Sequence, residues 1–193
     1  MKSFDELLHD AEIAHGHLCA GQVLGVRMAM YGLELLGLED PYGKDRKRLV
    51  TFVEIDRCMT DAIGVVTGCR LGKRALKFRD WGKVAATFVD MEGGRAVRLA
   101  ARETSKALAK QLHPEIESKN QQQMLAYREL PNDELFTVQW VKVEVEPQEL
   151  PGYKNQRIVC AQCGEGINFK REVQREGMIL CRSCAGERYY EPA

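Results

Sequence analysis

The chain is organised around a stretch near its N-terminus that reads His15-Gly16-His17-Leu18-Cys19-Ala20-Gly21-Gln22. Two imidazoles and a thiol alternate in it, and all three side chains can bind a metal ion. An apolar run from Val23 to Leu38 follows directly. This run predicts a long buried helix, because its apolar residues cover almost every side of the helix. The stretch therefore predicts a polar site at the start of a rigid central element.

The overall composition restricts the class of protein. The 193 residues suffice for one medium domain and a small one. The 28 Lys and Arg residues balance 28 Asp and Glu residues, and this zero net charge argues against nucleic acid or an anionic membrane as the main partner. No stretch reaches the roughly 18 apolar residues of a membrane span, and the N-terminus lacks the pattern of a signal peptide. We therefore expect a cytoplasmic protein with no membrane partner.

The pattern along the chain predicts an α+β fold. Helices are expected over residues 3–14, from Cys19 or Ala20 to Leu36, from Asp56 or Thr60 to Gly68, and over most of 103–128. Strands are expected over 49–55, 75–79 and 135–145, with a hairpin that joins 83–90 to 95–102. A linker at 147–152 separates a core domain, residues 1–150, from a small C-terminal domain, residues 151–193. The core should contain a mixed or antiparallel sheet and the long buried helix.

Small residues recur every four positions in the long helix, at Gly21, Gly25 and Ala29. Such a stripe lets another backbone approach closely. It can serve ordinary packing inside one core, or it can form a helix-to-helix contact in a homodimer.

The C-terminal domain contains two Cys-x-x-Cys pairs, Cys160/Cys163 and Cys181/Cys184. This spacing predicts a structural four-cysteine zinc site, which can hold iron in a recombinant preparation. The residues after Cys184 predict a short helix, which favours a treble-clef finger over a plain zinc ribbon. Four thiolates fill a tetrahedral ion, so this site should be closed to substrates.

A second site could form in the core domain if further residues converge on the His-x-His-x-Cys stretch. Cys58 and Asp61 lie three residues apart on a predicted helix and would share a face. Cys69 opens the glycine-containing loop after that helix. Each residue also has a structural interpretation, since Cys69 can be a small buried apolar residue, His15 can cap a turn, and Asp61 can pair with Arg57 or Arg70. A mixed His and Cys site would favour zinc, iron or nickel and could keep an open coordination position.

Four motifs together resemble one known family. They are the stretch from His15 to Met28, Cys58-Met-Thr-Asp61-Ala-Ile, Thr67-Gly-Cys69-Arg-Leu-Gly-Lys73, and Asp80-Trp-Gly-Lys-Val-Ala-Ala-Thr-Phe88. In this combination the chain resembles the family of the E subunit of formylmethanofuran dehydrogenase, and the C-terminal cysteines are similar to the treble-clef finger that some members carry. The resemblance is close over the first hundred residues, and it departs at Ala20, where the family usually has proline.

The resemblance implies an α+β core that forms a dimer. It also implies a site drawn from six residues, which are His15, His17, Cys19, Cys58, Asp61 and Cys69. One hypothesis is a metal-binding accessory protein of a molybdenum or tungsten oxidoreductase complex, with a role in one-carbon metabolism or in metal or sulfur handling. The alternative is a stand-alone metal-dependent enzyme with metal at His17, Cys19 and Cys58 and a base at Asp61 or His15. A third class, a nucleic-acid-binding zinc finger, is disfavoured by the zero net charge.

Overall fold

The computed structural model describes residues 1–191, and these form two compact units. The core unit spans Met1–Val143, and the finger unit begins at Glu144. This boundary lies just before the linker that the sequence predicts at 147–152.

Two helices at the N-terminus follow the predicted pattern. Helix α1 spans Phe4–His15, and its N-cap Ser3 forms a reciprocal capping box with Glu6. Helix α2 spans Ala20–Leu36, is buried over most of its length, and ends at Gly37 in the left-handed conformation. Both helices therefore confirm the prediction, and the segment between them carries His17 and Cys19.

The core unit is built on a five-stranded sheet in the order β2-β1-β3-β4-β5. The strands are β1 at Leu49–Val53, β2 at Leu76–Phe78, β3 at Ala85–Asp90, β4 at Arg95–Ala101 and β5 at Phe136–Val141. Strand β2 pairs in parallel with β1, and the other neighbours pair antiparallel. The predicted hairpin is β3–β4, so the sheet is mixed and the α+β fold class is confirmed.

The remaining helices of the core unit come from two segments. Helix α3 spans Cys58–Thr67 between β1 and β2, whereas α4 at Thr104–Leu112, α5 at Lys119–Glu129 and the short α6 at Asn132–Leu135 follow β4. Helix α2 packs against α3, α5 and strands β3 and β4. None of the described helices is long and apolar enough to cross a membrane.

The small-residue stripe of α2 serves packing within the chain. A Cβ added at Gly25 would lie 2.6 Å from the carbonyl oxygen of Met59 and 2.8 Å from the Cβ of Ala62, so the backbones of α2 and α3 cross here without room for a side chain. Ala29 is fully buried. The dimer that the resemblance implies would therefore need another surface.

The finger unit consists of two short hairpins. Strands β6 at Ile158–Val159 and β7 at Gly166–Ile167 form the first, and β8 at Val173–Arg175 and β9 at Met178–Leu180 form the second. The predicted short helix after Cys184 is instead a hydrogen-bonded turn, in which Glu187 N–H donates to the Arg182 carbonyl at 2.9 Å. The chain contains Gly186 there, at a φ of +101°, a conformation that ends a helical turn.

Candidate metal centre

The two imidazoles of the opening stretch are brought together by the end of α1. His15 is the last residue of the helix, and Gly16 follows it at a φ of +94° with its N–H donating to the Glu12 carbonyl. This left-handed residue reverses the chain at once. The rings of His15 and His17 consequently lie with centroids 4.7 Å apart.

Cys19 completes a group of three candidate ligands. It is the N-cap residue of α2, in extended conformation. One ligand atom each from His15, His17 and Cys19 lies within 4.8 Å of the others, a spacing that one metal ion could bridge. Helical geometry would have separated the two histidines, so the turn at Gly16 is what makes the group.

Asp61 of α3 orients the first of these ligands. Its Oδ2 lies 2.8 Å from Nδ1 of His15, across 46 residues of sequence. The sequence left open a pairing of Asp61 with Arg57 or Arg70, and the described residues give neither of these ion pairs. A His15 ring that donates from Nδ1 keeps its lone pair on Nε2, the arrangement typical of a metal-binding histidine.

Cys58 lies beside the group at the first position of α3. It is absent from the group of three, but its thiol neighbours that of Cys19, and burial followed by this second thiol raises the pKa of Cys58. Gly21 provides the space, since a Cβ there would lie 3.1 Å from the Cβ of Cys58 and 3.7 Å from Sγ of Cys19. The Gln22 side chain donates to the Cys58 carbonyl at 3.1 Å and ties α2 to the start of α3.

Cys69 lies elsewhere. Its side chain is 3% exposed and contacts strand β1, with Sγ 3.5 Å from Oγ1 of Thr51 and 3.7 Å from the Leu49 carbonyl oxygen. Burial raises the pKa of this thiol. The described structure therefore places Cys69 in the apolar core and does not bring it to the histidines, because the loop after α3 returns to the sheet.

Two further residues support the site and were not among the predicted ones. Asn120 of α5 accepts a hydrogen bond from Ala20 N–H at 3.0 Å and so caps α2 from a distance of 100 residues. Gln22 is fully buried, and its Oε1 has no hydrogen-bond partner among the described residues. No sequence signal marks Asn120, whereas an amide inside an apolar helical run is a signal that could have identified Gln22.

The four C-terminal cysteines form a second group. Their sulfur atoms all lie within 4.8 Å of one another, and Sγ of Cys163 is 3.9 Å from Sγ of Cys181. The backbone N–H of Cys181 donates to Sγ of Cys160 at 3.2 Å. This is the arrangement that the two knuckles predict, and it fits a tetrahedral zinc ion.

The backbone around the knuckles favours thiolate at one cysteine. N–H groups of Cys163 and Cys181 lower the pKa of Cys160 to about 6. The pKa of Cys184 is raised to about 12, first because of the neighbouring Cys181 thiol. Four sulfurs this close cannot all ionise without a cation, and a zinc ion supplies that charge.

Comparisons with known proteins agree with both sites. Residues 14–137 match the family described as "FmdE, Molybdenum formylmethanofuran dehydrogenase operon". Residues 152–190 match the prokaryotic dksA/traR C4-type zinc finger.

Two individual proteins are similar over most of the chain. A probable S-adenosyl-L-methionine-binding protein of Archaeoglobus fulgidus is 34% identical over 208 residues, which cover 95% of this chain and 53% of that protein. The chain thus spans about half the length of this curated relative. The crystal structure of an FmdE-like protein of the tungsten formylmethanofuran dehydrogenase type, from Syntrophus aciditrophicus, has a TM-score of 0.66 at 21% identity, covering 98% of this chain and 96% of that one. This likeness supports the fold.

Proposed function

Because the chain belongs to the FmdE family and carries a four-cysteine zinc finger, we propose that its core unit binds a second transition metal ion at His15, His17 and Cys19. The observation that carries this proposal is the convergence of their three ligand atoms within 4.8 Å. Imidazole and thiolate ligands favour zinc, iron or nickel over magnesium or calcium.

The surrounding residues have defined roles in this proposal. Asp61 accepts a hydrogen bond from Nδ1 of His15 and so directs Nε2 to the metal. Three protein ligands leave one position open in a tetrahedral site, and Cys58 lies near enough to Cys19 to supply a fourth ligand or a nucleophile. The bound ion would supply a Lewis acid at that position.

The biological role that fits best is that of an accessory protein to a molybdenum or tungsten oxidoreductase, acting in metal or sulfur handling or in one-carbon metabolism. The name of the family supports this role, since it refers to the operon of a molybdenum enzyme. Such a protein should release the core metal to a chelator before the finger releases its zinc.

The alternative is a stand-alone metal-dependent enzyme. It is favoured by one specific observation, a cavity of about 470 Å³ that reaches both Cys19 and Cys58. In that case Asp61 or His15 would act as the base. S-adenosylmethionine, which the name of the Archaeoglobus relative mentions, is one ligand to test, and the shared region is about half of that relative.

Elemental analysis of the purified chain tests the metal proposal. The two ligand groups predict two metal ions per chain in the wild type, falling to one in His17→Ala. His9→Ala is the matched control, because His9 is an exposed histidine of α1 outside the group. Cys69→Ala should also retain both metals. One metal per chain in wild type and His17→Ala alike would refute the core site.

The chelator experiment separates the two roles. Under a stopped-flow challenge with a chromophoric chelator, an accessory protein should release the core metal in a fast phase that His17→Ala lacks, and the zinc of the finger in a slow one. A core metal that is retained as long as the zinc of the finger would favour the enzyme.

A further inference from the structure

A cavity of about 470 Å³ opens inside the core unit beside the two core thiols. It is bounded on one side by Cys19–Gly21 at the start of α2 and Arg57–Met59 at the start of α3. The end of β4, the start of α4 and one face of α5 form the other side. This volume is within the range of small-molecule sites in proteins.

The walls of the cavity are largely apolar. Five aliphatic side chains line it, from α2, α3 and the sheet, and they are Leu24, Ile55, Met59, Val84 and Ala101. Water gains little in such a space, so an occupant with an apolar body would be favoured.

The charged residues at the cavity are mainly cationic. Arg57, Arg102 and Lys106 line it, with Glu103 as the one acidic lining residue. Glu103 pairs with Lys106 at 2.6 Å, whereas neither arginine pairs with a carboxylate among the described residues. Arg102 Nε donates to the Phe136 carbonyl at 3.2 Å, which anchors the side chain and leaves its terminal nitrogens for another acceptor.

Two buried hydroxyl groups add neutral polar contacts. Tyr127 and Ser105 both line the cavity, at 3% and 1% exposure. Burial raises the pKa of Tyr127, so its hydroxyl stays protonated at neutral pH and can donate a hydrogen bond. A cavity with apolar walls, a few polar groups and unpaired arginines is built for an amphipathic anion.

We propose that this cavity binds a small organic anion, with its carboxylate or phosphate group on Arg57 and Arg102 and its apolar body extending toward Cys19 and Cys58. Binding of the anion stands on the cavity alone. The further assignment, that the bound molecule is the substrate of the core metal, rests on the proposed function.

A pair of fluorescent dyes tests the anion requirement. Anilinonaphthalene sulfonate and N-phenylnaphthylamine share their aromatic rings, and only the first is charged. The wild type should bind the sulfonate more tightly than the neutral dye. The double variant Arg57→Gln, Arg102→Gln should weaken sulfonate binding about tenfold or more and change neutral-dye binding less than about twofold.

Two further variants serve as controls for position. Arg46→Gln removes an exposed arginine that does not line the cavity and should leave the affinity for the sulfonate unchanged. Ala101→Phe should fill the cavity and weaken both dyes, with circular dichroism to confirm that the variant is folded. Equal sulfonate binding by the wild type and the double arginine variant would overturn the proposal.

Displacement identifies the anionic group. Octanoate and octyl phosphate should displace the sulfonate dye, and octanol at the same concentration should not. The stronger of the two competitors tells whether the site prefers a carboxylate or a phosphate. Displacement by octanol as effective as that by either anion would show a merely apolar cavity and would refute the role of the arginines.

The same measurements in His17→Ala separate this proposal from the proposed function. Dye binding should persist there, since His17 does not line the cavity. Octanoate should also slow alkylation of Cys19 and Cys58 by N-ethylmaleimide several-fold in that variant and leave Cys69 unaffected. If the wild type holds no core metal but this pattern appears, the metal proposal fails and the cavity proposal stands; if the metal is present without the pattern, the reverse holds.

Discussion

Replacing Asp61 by asparagine should weaken the core metal site without weakening the fold. The perturbation is small, because asparagine keeps the shape of the side chain and loses its charge. In the structure, Oδ2 of Asp61 lies 2.8 Å from Nδ1 of His15 and fixes which ring nitrogen carries the proton. The amide can turn its NH2 group toward Nδ1, which favours the tautomer with the proton on Nε2, the atom needed for the metal.

The size of the effect follows from the role of such partners. Removing a carboxylate that orients a metal-binding histidine lowers metal affinity about ten- to a hundredfold, or about 1.4–2.8 kcal/mol. The side chain of Asp61 is 57% exposed, so solvent screens the ion pair and its loss should cost about 0–1 kcal/mol of folding stability. Metal affinity should therefore fall while the unfolding curve changes little.

Competition with a chromophoric zinc chelator measures the affinity of the core site, and urea unfolding of the same samples measures stability. Asp56→Asn is the matched control, because it removes an exposed carboxylate of the neighbouring loop that makes no hydrogen bond to His15 among the described residues. Wild-type affinity in Asp61→Asn would refute the reasoning. So would an equal loss of affinity at the finger, which is in the other unit.

Three further predictions concern stability. Gly25→Val should destabilise the core unit by about 1–3 kcal/mol in urea unfolding, because the added carbons overlap the backbone of α3, whereas Gly72→Ala, which meets open space, should not. Asn120→Ala should cost about 1 kcal/mol by removing the cap of α2, and an unchanged unfolding midpoint would contradict that role. Burial raises the pKa of Asp90, but Arg48 and two backbone N–H groups outweigh it and hold this pKa below its usual range; its contribution is therefore present above about pH 4 and is lost as the pH falls through the folded-state pKa. Asp90→Asn should accordingly be less stable than the wild type by about 1–3 kcal/mol at pH 7, with a difference that shrinks below about pH 4, and a difference independent of pH would refute this account.

Local signals predicted the helices and the finger well. Ser3 and Glu6 are three residues apart, and Gly37 directly follows the end of α2, so the caps of α1 and α2 can be read from neighbouring residues. Each Cys-x-x-Cys knuckle is likewise a local feature. The helix expected after Cys184 is the exception, since the composition favoured a helix and Gly186 turns the chain out of it.

The composition of the core site depended on contacts that cross long stretches of sequence. The spacing alone left open whether His15 and His17 face the same way, and the left-handed residue between them decided it. Asp61 was a candidate for an arginine partner and meets His15 instead. Cys69 had two interpretations, and the return of its loop to β1 places it against Thr51.

The sequence by itself determined the ligand types, the long apolar helix and the two cysteine knuckles, because each arises from residues within a few positions of one another. Only the tertiary structure decided which side chains meet. The crossing of α2 and α3 at Gly25 brings Cys58 beside Cys19, and the packing of α5 brings Asn120 to the start of α2 and closes the cavity. The physical reason is that these contacts result from how helices pack on a shared sheet, and that packing is set by the shape of the whole core.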